Sequence, residues 1–153
     1  MRFAVYAALC EEKRLYIGQT KLWRVTTRWS EHADPANRTT RWTSKYPVLE
    51  KLAVYECATY QDSVDLEHRL CEGLMAEFGL DAVRGGGWNM LAQGPDSRWW
   101  VPPALRGTPD FTTSWRDLSG RKYAACVRSA LARLADRSPL ESFPHSRSSL
   151  KRA

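Results

Sequence analysis

Tyr6, Tyr16, Arg28, His32 and Glu67 are side chains whose types and spacing could do chemistry together. The two phenols stand ten positions apart, in FAVYAAL and RLYIGQT. Lys21, Arg24, Arg28 and His32 recur at steps of three, four and four, so one helix would carry them as a stripe beside the apolar Leu22, Val25, Trp29 and Ala33. A solvated charged face is the ordinary reading of such a stripe. The mixture argues for more, because an arginine for bidentate oxyanion contact and a histidine for hydrogen bonding, four residues apart, suit a phosphate. Glu67 interrupts the apolar spacing Val64, Cys71, Leu74 and Phe78. A carboxylate there is costly unless it pairs with an arginine, reaches water, or holds a hard divalent cation that keeps several waters beside one protein oxygen. With a cation, a guanidinium and phenols near one another, the set suits phosphodiester hydrolysis. It offers an acceptor for the water's proton, a positive charge for the leaving oxygen and another for the equatorial oxygens.

Such a site needs elements to hold it. Phe3–Leu9 and Leu15–Ile17 read as short strands joined by the polar CEEKR, and Gly18 ends the second. The steps from Leu22 to Ala33 predict a helix, and DPANRTTRWTSKYP after it reads as a polar, proline-bounded loop. Lys51–Thr59 predicts a third strand. Asp62 is placed to cap a helix that runs to Phe78, where Gly79 supplies a stop. VRGGGWNM is a glycine-rich loop leading to a short extended piece. Residues 1–94 are thus expected as a core, 95–120 as a connector rich in Trp, Pro and Gly, and 121–153 as a basic amphipathic helix followed by a serine-rich, basic, disordered tail.

The 153 residues suffice for one domain without staples. Cys10, Cys57, Cys71 and Cys126 show neither a CxxC pair nor zinc spacing, so reduced thiols in the cytoplasm are expected. The apolar FAVYAALC after a single arginine is too short for an export signal and reads as a buried strand. No stretch approaches the roughly 20 apolar residues of a membrane helix, so no membrane partner is expected. Residues 1–103 hold 13 basic and 13 acidic side chains, whereas 104–153 hold 10 and 4, so the net charge of +6 sits entirely in the last third. That asymmetry points toward a polyanion as partner of the basic arm.

As an ordered set, these residues resemble the GIY-YIG nuclease family. The match runs through Ala4-Val5-Tyr6, Tyr16-Ile17-Gly18, GQTKLWRVTTRWSEH with Arg28 and His32, Glu67 in DLEHRL and Asn89 in GGGWNM, and covers about residues 3–91. Ala4-Val5 stands where the family has Gly-Ile, which bears on strand geometry more than on chemistry. The resemblance implies an α/β fold with a small antiparallel three-stranded sheet flanked by helices in the order β-β-α-β-α, and one-metal hydrolysis of a DNA backbone. It implies Glu67 as sole protein ligand of Mg²⁺ or Mn²⁺, Arg28 against the scissile phosphate and Tyr6 as general base or water-orienting phenol. Tyr16 and His32 would assist, Lys21 would neutralise charge nearby, and Asn89 would support the site. A phenol of pKa near 10 is a poor base until cations lower it, which Arg28 could do, and His32 could equally take the proton.

Around this set, Arg24, Arg38, Arg41, Lys45 and Arg84 interleave with Trp42, Tyr46 and Trp88, the mixture expected of a groove for phosphates and bases. The tail after residue 94 reads as a DNA-binding arm, as a protein-docking element anchored by Trp99, Trp100 and Trp115, or as a cover that closes the core. A rival to the nuclease is a catalytically inactive binding module on the same fold.

Overall fold

The computed structural model describes residues 1–34, 36, 41–85, 101 and 103–143. Its centre is strand β1 (Phe3–Cys10), buried almost throughout. A central strand must be apolar on both faces when both are covered, and FAVYAALC is. Val5, Ala7 and Leu9 face one apolar cluster, and Ala4, Tyr6, Ala8 and Cys10 face the other. A turn at Glu11–Lys13, with Glu12 and Lys13 in the left-handed region, returns the chain as β2 (Leu15–Lys21), antiparallel to β1. β2 runs four residues beyond the expected end at Ile17, straight through Gly18.

The 3-10 turn Leu22–Arg24 leads into α1 (Val25–Ala33). The segment expected as a polar loop holds a further helix, α2 (Arg41–Lys45), which carries Trp42 and, just after it, Tyr46 into the protein. β3 (Val48–Cys57) pairs antiparallel with β1 on its other side. α3 (Tyr60–Phe78) follows. Its N-cap is Thr59, whose hydroxyl accepts from the Asp62 backbone N–H at 3.0 Å. Asp62, the expected cap, instead lies in the first turn and pairs with Arg137. Gly79 stops the helix as expected, at φ +125°.

The sheet is mixed and five-stranded, in the order β4-β2-β1-β3-β5, so the expected three-stranded antiparallel sheet is only its middle. β4 (Val83–Gly85) lies parallel to β2 over Leu15–Ile17, and β5 (Glu141–Ser142) lies antiparallel on β3. Gly85 permits the parallel contact, because a Cβ there would fall 2.0 Å from the Ile17 carbonyl oxygen.

α4 (Thr113–Arg116) and α5 (Gly120–Ala135) complete the chain's helices among the described residues. α5 buries Tyr123, Ala124, Val127, Ala130, Leu131 and Ala135 in the same cluster as α3. Gly73 of α3 lets Leu134 approach so closely that a Cβ would meet it at 2.5 Å. The Tyr123 hydroxyl donates to the Lys13 carbonyl at 2.8 Å, and Arg128, Arg133 and Arg137 pair with Glu50, Glu77 and Asp62. This part of the basic third therefore closes the core and spends three of its cations on internal pairs. Among the described residues no helix is long and apolar enough to cross a membrane.

Candidate active site

The site starts from a register. Tyr6 of β1 stands opposite Gly18 of β2, and its ring lies across that glycine. A Cβ on Gly18 would meet the far end of the phenol at 2.2–2.7 Å, so the absent side chain is the space the phenol occupies. On the other side Tyr6 packs edge-on against Trp29 of α1, ring centres 4.9 Å apart. Tyr16 opposes Ala8, one pleat along the same face, and its ring centre is 6.1 Å from that of Tyr6. The two phenols thus meet across the hairpin.

His32 completes this aromatic group from the last turn of α1. Its Nε2 is 2.8 Å from the Tyr6 hydroxyl, its Nδ1 is 3.2 Å from Thr43 Oγ1 of α2, and its ring centre is 5.0 Å from that of Tyr16. Burial, reinforced by the charge of Arg28, lowers its pKa to about 4, so the imidazole is neutral at pH 7. A neutral ring has one N–H and one lone pair. The Arg28 guanidinium, which can only donate, acts on the Tyr6 oxygen and favours its lone pairs facing that way. The consistent assignment is a Tyr6 O–H donating to Nε2, with Nδ1–H donating to Thr43.

Burial pushes the Tyr6 pKa above its usual 10, and the pull of Arg28 and Tyr16 toward the phenolate does not overcome it. Arg28 alone thus does not make Tyr6 a ready base. Desolvation wins, and Tyr6 keeps its proton at neutral pH.

Arg28 is held by an ion pair with Glu31, one turn along α1, and Arg24 reaches the same carboxylate at 3.3 Å. The Arg28 side chain remains 19% exposed. It is therefore fixed at one end and open to an anion at the other.

Glu67 approaches from α3. A bond from Gln19 to Ser63 at 2.8 Å ties the far half of β2 to the helix one turn earlier and so sets its distance from Gly18. Its charge acts on Tyr6. Glu67 is only 8% exposed, and its carboxylate has no hydrogen-bond or ion-pair partner among the described residues. Burial alone raises its pKa to about 7. An anion sequestered without a counter-charge fits a divalent cation. Among the described residues no three His, Cys, Asp or Glu side chains gather as a metal cage. A cation on Glu67 would accordingly keep mostly water ligands, which suits Mg²⁺ or Mn²⁺.

The remaining expected residues divide. Lys21, at the end of β2, is exposed and makes no ion pair among the described residues. Lys45 is exposed beside the Tyr46 ring. Trp42 and Arg84, expected in a nucleic-acid groove, are turned into the protein. Trp42 is 6% exposed and donates its Nε1–H to the Leu15 carbonyl at 2.9 Å. Arg84 is 4% exposed, donates to the Leu80 and Val83 carbonyls, pairs with Asp81 and lies over the Trp42 ring. Both serve packing, because an indole and a guanidinium offer stacking area to an interior as readily as to a ligand. Trp115, considered as a docking anchor, packs on Phe78 and donates to the Glu77 carbonyl. Arg41 begins α2, while Arg38, Trp88, Asn89, Trp99 and Trp100 lie outside the described residues.

Thr43, Glu31, Trp29 and Gln19 complete the site and were not singled out for it from sequence. Glu31 had a signal, since it is three residues from Arg28 on the helix. Thr43 had none, because its partner is eleven residues away through a segment with no clear pattern. No protein-family model, curated protein or solved structure matches the chain.

Proposed function

We propose that the protein is a metal-dependent endonuclease that hydrolyses phosphodiester bonds of DNA, as the resemblance to GIY-YIG nucleases implies. The observation that carries this reading is the hydrogen-bonded Tyr6–His32 pair, flanked by Arg28, beside a buried carboxylate that has no counter-charge among the described residues. Mg²⁺ or Mn²⁺ held by Glu67 would supply charge for the leaving oxygen. The chain's own groups do the rest.

Arg28, anchored by Glu31, binds the non-bridging oxygens of the scissile phosphate. That binding also acts on the base. Arg28 is one cause of the low His32 pKa, and a phosphate against the guanidinium offsets its charge and makes the imidazole more basic. The attacking water gives a proton to the Tyr6 oxygen as Tyr6 passes its own proton to His32 Nε2. The oxygen of that water bonds to phosphorus, and the bond to the leaving oxygen breaks. Thr43 holds the imidazole through Nδ1 and stabilises the imidazolium that forms. Tyr6 here is a relay, and His32 the final acceptor.

The test is cleavage of labelled single-stranded, duplex and branched DNA and of RNA with Mg²⁺, Mn²⁺ or EDTA, by wild type and Glu67→Ala. Metal-dependent cutting that the variant lacks is expected. Equal cutting by the variant, or none by wild type on any substrate, refutes the proposal.

A further inference from the structure

Among the described residues, two of the most exposed large hydrophobic side chains are aromatic and flank the site. Trp23 is 69% exposed, and Tyr60 is 59% exposed. Trp23 stands in the turn that opens α1, one residue before Arg24 and five before Arg28. Tyr60 is the first residue of α3, seven positions before Glu67, so it lies two turns back on the same helix face, about 10 Å along the axis. The two belong to one end of the sheet. The Tyr60 ring packs edge-on against Phe3 at 5.7 Å, Phe3 pairs with Lys21, and the Leu22 backbone bonds to Arg2. Only Leu22 separates Lys21 from Trp23.

Neither ring is buried by the core, although Tyr60 rests one edge on Phe3. Burying these large apolar faces would stabilise the fold, yet both stay in water. Cations accompany them. The Arg24 guanidinium lies over the Trp23 ring at 5.9 Å, and Lys21 is free of ion pairs among the described residues. Aromatic faces interleaved with positive charge, one to two helix turns from a phosphate-binding arginine, match a strand whose bases are splayed out of a duplex. A fully paired duplex offers its stacking faces to its own neighbours and would leave both rings unused.

We infer that Trp23 and Tyr60 form a stacking platform for unpaired nucleotides, with Lys21 and Arg24 on the adjoining phosphates. The substrate class is therefore DNA with a single-stranded segment at the cut. This rests on the nuclease reading for its substrate, but its test does not depend on cutting.

Binding of fluorescent dT12 and of a 12-base-pair duplex is measured by anisotropy in EDTA for wild type and for Trp23→Leu, Trp23→Phe, Tyr60→Leu and Tyr60→Phe. Each leucine variant should weaken dT12 binding at least about fivefold, and each phenylalanine variant should stay near wild type. Duplex binding should be weaker than dT12 binding and unchanged by any of the four. Exposed positions leave folding undisturbed, which circular dichroism checks. Unchanged dT12 affinity in the leucine variants, equal losses on both probes, or a preference for duplex would overturn the platform. Failure of the nuclease reading would show separately, as cutting that survives Glu67→Ala while the binding pattern holds.

Discussion

Replacing Glu67 by glutamine should stabilise the metal-free protein, and by an amount that depends on pH. The folded carboxyl has a pKa of about 7 against 4.5 for an unperturbed glutamate, because it is buried without a partner. Between those values the native state holds a proton that the unfolded chain has released. Stability therefore falls as pH rises through that window, by about 1.4 kcal/mol per unit, and the loss reaches about 3 kcal/mol by pH 8. Glutamine has no charge to desolvate. At pH 4 the two proteins should differ only by a constant, whereas at pH 8 in EDTA Glu67→Gln should gain about 3 kcal/mol over that constant. For a chain of this length that is roughly 6–12 °C in Tm. Urea melts at pH 4, 6 and 8 measure the difference, and subtracting variant from wild type removes every other titrating group. Added Mg²⁺ should raise the wild-type Tm at pH 8 and leave the variant unmoved. A difference that does not change with pH would refute the reasoning, since it would mean that Glu67 is solvated or paired in solution.

Three further outcomes follow from the same geometry. His32 has a folded pKa of about 4 against 6.5, so its contribution is intact above pH 6.5 and lost as pH falls toward 4. His32→Gln should remove about 3 kcal/mol of acid sensitivity, read from urea melts between pH 7 and 4. Gly18→Ala forces the Tyr6 ring off His32 and should cost about 1–3 kcal/mol along with cleavage; near-wild-type activity in a DNA-nicking assay would show that the ring has room to move. Arg84→Met should destabilise by roughly 1–3 kcal/mol because it removes the hydrogen bonds to the Leu80 and Val83 carbonyls together with the pair to Asp81, and Kd for DNA, measured on the folded fraction, should not change.

Legibility followed the range of the interaction. β1 and its hairpin partner, α1 and α3 announce themselves through apolar spacing over eight or more residues or through a polar turn between apolar runs. The site residues carried by them, Tyr6, Tyr16, Arg28, His32 and Glu67, could be picked out for the same reason. α2, β4 and β5 have five, three and two residues, too few for a period to emerge, and two of them are fixed by pairing with strands far away in sequence. Trp42 and Arg84 show a different limit. Residue type says that a ring and a guanidinium can stack but not whether the neighbour is a base or Tyr46. Tyr6 shows a third, because the sign of its shift depends on how much water reaches it, and only the packed structure supplies that balance.

The fastening of α5 to the first half of the chain has a consequence for synthesis. All five side chains of the proposed chemistry have been synthesised by residue 67. The helix that α3 rests on, with Tyr123 bonded to Lys13 and Arg137 clasping Asp62, arrives some 70 residues later. A nascent chain of that length holds every reactive group but lacks the packing of α5 that holds α3, and Glu67 with it, in place. For a protein proposed to cut DNA, this ordering delays competence until α5 has been made and has docked on α3.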